Sequence, residues 1–418
     1  MIEFRESVLK NGVRLVMSRK SEIPNVIINS GFHVGSKDEN PSKTGLSHLL
    51  EHLMFSGSVN IPDGKFDEIL HANGGESNAF TTQDYTSYYL SIPSSKIELG
   101  MWLDSDRLSE FPVNEEGLEI QKKVVTEEKL QVHDNTPYGS LEYESALRLF
   151  SKSGYRWQII GDEKHIADFT LEDVKKYYEK YYCPQNMVLT IAGDIDYDDT
   201  IKLAEKYYGD IQNNGSSIVR EYNEEDLKEN TEEDIEDNIS LPARFEFYRI
   251  PRIGSNEFYT SRLISVGLSS GESSKVYQEL IRKSNISTES FLMSQGMEFE
   301  GIFSFNCFIN EGKSIKAASK VMDSILTELA DKGLSDSDIQ KSINKVITSY
   351  YSKIQQSLRL AGSLSFYKIF FDDCNMINEE ADIFKKITNE DVKNFARKYL
   401  FENKKVVLNY VPKRKVKK

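Results

Sequence analysis

Two stretches far apart in the chain match at several places: "TLEDVKKYYEKYY" from Thr170 and "TNEDVKNFARKYL" from Thr388 share T-x-E-D-V-K, then K-Y at the same later offset. An internal repeat constrains the fold more than composition does, because each copy must build a similar unit. In both copies Asp stands three residues after Thr, the pattern of a capping box, so Thr170 and Thr388 should each open a helix. A β-rich run follows each helix, "NMVLTIAGDI" in the first copy and "KKVVLNYVP" in the second. Both halves are therefore predicted to end helix, then strand.

Between the halves, "NNGSSIVREYNEEDLKENTEEDIEDN" is acidic with few large apolar residues and reads as a linker over 213–238. In the first half, Asn11-Gly12 in "VLKNGVRLVM" signals a hairpin, and "NVIINSGFHVGS" alternates with Val26, Ile28, Phe32 and Val34 on one face. Tyr85 to Ile92 is a further predicted strand; 44–57, 65–72, 95–107 and 115–132 are predicted helices. The expectation is an α+β chain of two homologous mixed domains, 1–212 and 239–418, each a mainly antiparallel sheet packed by helices.

The 418 residues suffice for two cores, and 39% apolar with 28% charged residues is ordinary for a globular protein. A formal charge of −14 opposes phosphate backbones and anionic lipid, which argues against nucleic-acid binding and favours basic peptides. Cys183, Cys307 and Cys374 are scattered and odd in number, as in a reducing compartment. The N-terminus "MIEFRESVLK" has no apolar core of a leader, and no run approaches the ~18 apolar residues of a membrane span. A cytoplasmic location follows as an expectation. The closing "KRKVKK" reads as a solvated basic tail.

"GLSHLLEHLMFSG", from Gly45, holds the chemistry. Leu46, Leu49, Leu50, Leu53 and Met54 form an apolar stripe at helical spacing. With Leu46 at 0°, His48, Glu51 and His52 fall at roughly 200°, 140° and 240°, together on the opposite face. Two histidines at i and i+4 can share one zinc ion, and a carboxylate beside them can take a proton from water. A bare pair at this spacing more often marks a solvated helix face, so a third ligand decides. "GLEIQKKVVTEEKLQV" offers Glu127 and Glu128. Leu118, Val125 and Val132 recur on one face of that helix; Glu128 falls within the stripe and Glu127 about 100° from it. A carboxylate set in an apolar face needs a partner or a metal, which favours Glu128. His33, His71, His133 and His165 lack partners at ligand spacing and read as structural or surface residues.

These residues resemble the pitrilysin or insulinase-type zinc peptidases. "HLLEH" is similar to the family's inverted zinc motif and "VVTEE" to the segment that supplies its third ligand. "GGESNAFTTQDYTSYY" is similar to its G-G-x-x-N-A-[FY]-T segment, and "FYRIP" and "SSKVYQELIRKS" extend the likeness into the second half. The resemblance implies half of a four-domain clamshell chamber and one zinc per chain held by His48, His52 and Glu128. It makes Glu51 the general base and Asn78, Ala79 and Phe80 the edge that binds a peptide substrate as an added strand. Two positions depart from the pattern. Gln121 stands where a second glutamate is frequent, beside the ligands. In the second half Arg282 matches a carbonyl-binding arginine, but Glu289 replaces the tyrosine seven residues on. In keeping the zinc motif without that tyrosine, the chain resembles the zinc-bearing subunits of heterodimeric processing peptidases, which implies a homologous partner without zinc; a homodimer is the other arrangement. The rival expectations are a non-catalytic assembly subunit that retains the fold and a zinc-binding regulator without hydrolysis.

Overall fold

The computed structural model describes residues 1–111, 113–213 and 218–413, so the basic tail beyond Lys413 lies outside the described residues. The chain divides into two compact units, and neither is contiguous. The first comprises Met1–Leu130, Trp157–Glu221 and Tyr351–Glu379; the second comprises Gln131–Arg156, Tyr222–Tyr350 and Glu380–Lys418.

The first unit is built on a six-stranded sheet of β1 (Arg5–Val8), β2 (Arg14–Arg19), β3 (Asn25–Phe32), β4 (Glu76–Thr81), β5 (Thr86–Pro93) and β6 (Met187–Gly193). The order is β1-β2-β6-β3-β5-β4, antiparallel except for the parallel pair β2 and β6. β1 and β2 form the hairpin that Asn11-Gly12 announced, with Gly12 at φ +101°, where a side chain would be strained. Val26, Ile28, Phe32 and Val34 are all buried in one core with Leu46, Leu49, Leu50 and Leu53. The helix Ser357–Phe371, from late in the sequence, packs against β3 and β6. Gly31 admits it: a Cβ there would stand 2.5 Å from Ser365 Oγ.

The second unit repeats the plan with β7 (Thr231–Asp237), β8 (Ala243–Pro251), β9 (Ser287–Gly296), β10 (Glu300–Ile309) and β11 (Lys405–Pro412). Its order, β7-β11-β8-β10-β9, has the same single parallel pair, here β7 with β11. Strand for strand, β7 stands for β2 and β11 for β6. Both predicted capping boxes are present, Thr170 with Asp173 before β6 and Thr388 with Asp391 before β11. Here too a helix from the other half of the sequence lies on the sheet: Leu149 and Phe150, at the end of helix Leu141–Leu149, pack with Phe245, Phe247 and Leu408.

Two sequence expectations differ from what is observed. The acidic segment 213–238 contains a strand as well as connecting chain. β7 reads "TEEDIED" because an edge strand leaves most of its side chains in water, which hides the alternation. The glutamate helix ends as an α-helix at Glu128 (Glu115–Glu128) and widens into a π-helical turn over Lys129–Asp134. The wider turn breaks the periodicity: Leu118 and Val125 are fully buried, whereas Val132 is 52% exposed.

Candidate metal centre

The histidine helix, Leu46–Leu53, begins at Gly45 with φ +97°, and a Cβ on Gly45 would meet Ile160 O at 2.7 Å. No residue at the cap position accepts its first N–H groups. Glu39 does so from upstream: Oε2 accepts the Gly45 N–H and Oε1 the Ser47 N–H, both at 2.7 Å. Glu39 is only 6% exposed, and burial pushes its carboxyl up to about 8 against the pull of those two donors. Because this value lies above that of the unfolded chain, the folded state holds the proton more tightly. Its contribution to stability is complete below about pH 4.5 and is lost as pH rises through about 8. Melting curves at pH 5 and pH 9 should therefore show the wild type losing more stability than Glu39→Gln; equal losses would contradict the assignment.

All five residues of the apolar stripe are buried, and the opposite face brings the ligand candidates together. His48 and His52 have ring centroids 4.7 Å apart. Glu128 Oε2 lies 3.3 Å from His52 Nε2 and 3.9 Å from His48 Nε2. Among the described residues, this is the only group of three or more histidine, cysteine or acidic side chains whose ligand atoms meet this closely, all within 4.8 Å of one another. Ligands about 2.0–2.2 Å from a tetrahedral zinc stand roughly 3.3–3.6 Å apart, so small rotations suffice to hold the ion. The donor set fits zinc in kind as well, with two imidazoles and one carboxylate. Burial lowers the pKa of His52, against the opposing pull of Glu128 and of a hydrogen bond with Gln121, and so favours the neutral imidazole that ligation requires. Gln121 also donates to Ser56 Oγ at 3.1 Å, tying the ligand region to the loop after the histidine helix. Glu127 is exposed, as its place on the wheel implied.

Glu51, on the same face as the histidines, accepts a hydrogen bond from Thr81 Oγ1 at 2.5 Å, and burial pushes its carboxyl up to about 7. Thr81 was not singled out by sequence, although the signal was there. Alternation along β4 turns Ser77, Ala79 and Thr81 to one face and Asn78 and Phe80 to the other. β4 is the edge strand of its sheet. Its Asn78 Oδ1 accepts the Ala79 N–H at 2.8 Å, and Phe80 is 37% exposed. Arg282, on the helical turn Tyr277–Lys283, and Glu289, on edge strand β9, are both exposed in the second unit and are not part of this cluster. His33 packs edge-on against Phe370, and His165 Nδ1 faces the N–H and hydroxyl of Thr44 at 3.1 and 2.9 Å, both structural contacts. Among the described residues no helix is long and apolar enough to cross a membrane.

Known proteins resemble this chain in sequence and in fold. Residues 15–151 match the model described as insulinase (peptidase family M16), and residues 168–346 match the peptidase M16 inactive domain. The zinc protease PqqE of Helicobacter pylori is 26% identical over 369 residues, covering 87% of this chain and 83% of its own. The fold superposes on the crystal structure of a protease from Helicobacter pylori with a TM-score of 0.93 at 23% identity, over 99% of this chain and all of the other. It also superposes on the periplasmic protease PqqL from Escherichia coli with a TM-score of 0.82 at 18% identity, over 98% of this chain but 48% of PqqL. The two matched stretches together span most of the sequence, and the chain belongs to the M16, insulinase-type peptidase family.

Proposed function

We propose that the chain is the zinc-bearing subunit of a metalloendopeptidase that hydrolyses short or unfolded peptides. The observation that carries the reading is the convergence of His48, His52 and Glu128 with Glu51 on the same helix face, next to an edge strand. His48, His52 and Glu128 would hold the ion. Zinc, when bound, supplies a Lewis acid for the attacking water and the scissile carbonyl. The chain's own part is then positional and protolytic. The edge of β4 binds the peptide backbone as an added strand, a mode tolerant of sequence. Glu51, its carboxylate steadied by Thr81, takes the proton from the water and gives it to the leaving amine. Net acidity favours basic peptides.

A homologous partner chain without zinc completes an enclosing chamber in this reading. Its support is that PqqL is about twice as long as this chain and that Glu289 stands where the family has a tyrosine. A homodimer is the alternative assembly. The non-catalytic reading draws on Gln121 and on the inactive-domain match of the second half. Bound zinc and peptide cleavage, measured on the chain alone and with a co-expressed homologue, separate these readings. We expect one zinc per chain, cleavage abolished by a chelator and restored by zinc, and a large gain from the partner. One zinc per chain with no cleavage in either setting would sink the enzyme reading; full activity of the isolated chain would remove the partner.

A further inference from the structure

Among the described residues, the second sheet lacks a strand that the first one has. In the first unit β1 pairs antiparallel with the outer edge of β2; β7 holds the place of β2 in the second unit, and there it ends the sheet. The stretch that leads into β7 is held elsewhere. Glu224 accepts the N–H groups of Ser151, Lys152 and Ser153, Arg249 donates to the Glu225 carbonyl at 2.5 Å, and Asn230 Oδ1 accepts the Lys405 N–H at 3.0 Å. The chain before β7 therefore does not fold back on it as β1 folds on β2.

The backbone of β7 shows what this leaves open. Asp237 O accepts the Lys413 N–H at 2.9 Å, so Asp237 turns its backbone groups toward β11. In a parallel pair alternate residues do so, which puts Thr231, Glu233 and Ile235 on the same side and points the N–H and C=O of Glu232, Asp234 and Glu236 out of the sheet. Such a row of unpaired groups is a template for another strand. Five of the seven side chains on β7 are acidic. Glu232 pairs with Arg244 and Glu233 with Arg148; Asp234 accepts only the Asn409 amide and Asp237 the Tyr138 N–H, and Glu236 is exposed. Among the described residues no ion pair includes Asp234, Glu236 or Asp237, so the edge keeps an excess of negative charge.

We propose that the outer edge of β7 is a docking site for an extended, lysine- or arginine-rich segment of a partner protein, which joins the sheet antiparallel as β1 does on β2. Charge on an edge strand commonly keeps other strands away. Here all of it has one sign. Acidic strands, and β7 of a second copy, are repelled, whereas a basic strand pairs its backbone and neutralises the carboxylates in one step. β7 carries none of the metal-ligand candidates, so the proposal stands whether or not the chain is a peptidase.

The test reads binding on full-length Glu51→Gln protein, which is not expected to turn its ligand over, at physiological salt. Dye-labelled twelve-residue peptides that alternate threonine with lysine, serine or glutamate are titrated by fluorescence anisotropy. We expect the lysine peptide to bind about tenfold more tightly than the serine one, the sum of a few cross-strand charge pairs, and the glutamate peptide not to bind. Glu236→Pro removes an N–H that faces away from β11, so the ladder is kept while strand addition is blocked. It should weaken the lysine peptide about tenfold, and Glu236→Gln, which keeps the N–H and loses one charge, only about threefold. Thermal midpoints are read alongside. If the proline lowers the midpoint, Glu236→Lys decides in its place: it keeps the backbone and should weaken the lysine peptide more than Glu236→Gln does. Equal binding of the three peptides, or a lysine preference that Glu236→Pro in folded protein, or Glu236→Lys in its place, leaves intact, overturns the docking site.

Discussion

Glu51→Gln should lower peptide hydrolysis by about 10²–10⁴-fold, the usual contribution of a positioned general base, while the protein retains its zinc. The substitution is nearly isosteric, and the glutamine oxygen can still accept the Thr81 hydroxyl. Only the capacity to take a proton is removed. Since Glu51 is not one of the three clustered ligand candidates, metal content should stay at one per chain. Paired measurements of kcat and bound zinc check this. A variant that retains a tenth of wild-type kcat contradicts the role of Glu51, and one that has lost its zinc shows that Glu51 acts on the ligands instead.

The second large effect is on stability. Asp104, fully buried, accepts hydrogen bonds from Ser30 Oγ at 2.5 Å and from Tyr208 OH at 2.8 Å, and it pairs with Arg107. Arg107 is 1% exposed, and its guanidinium lies over the Tyr88 ring at 4.7 Å and the Phe66 ring at 5.3 Å. The aromatic faces offset only part of the cost of burying that charge. Asp104→Ala strands the guanidinium beside two orphaned hydroxyls and should destabilise the first unit by about 3–5 kcal/mol. Replacing both partners together by leucine should cost much less, because no uncompensated charge remains. Denaturant unfolding of the single and double variants checks the contrast, and equal losses would mean that the ion pair is not what the site depends on.

How far the sequence exposed this structure depended on how regular each element is. The histidine helix was legible because five apolar residues at helical spacing left only one face for His48, Glu51 and His52. The repeat was legible through its capping boxes, which are local chemistry that tertiary context rarely overrides. Glu128 could be preferred to Glu127 from periodicity alone, yet the same periodicity placed Val132 wrongly, since nothing in its residue types announced the π-helical turn. β7 was hidden because a strand at the rim of a sheet can be built from acidic residues. Thr81 was within reach of a two-residue alternation, but its bond to Glu51 joins positions 30 residues apart and is visible only once folded.

The exchange of covering helices also says what kind of object the duplication has become. Each sheet takes a covering helix from the other repeat, so the chain passes between the units at four places besides the segment 213–238. A single cut in that segment would leave two fragments, each missing a lid that the other carries. Neither repeat is a transplantable module, and an ancestor with one repeat would have needed a second copy of itself to close its sheet.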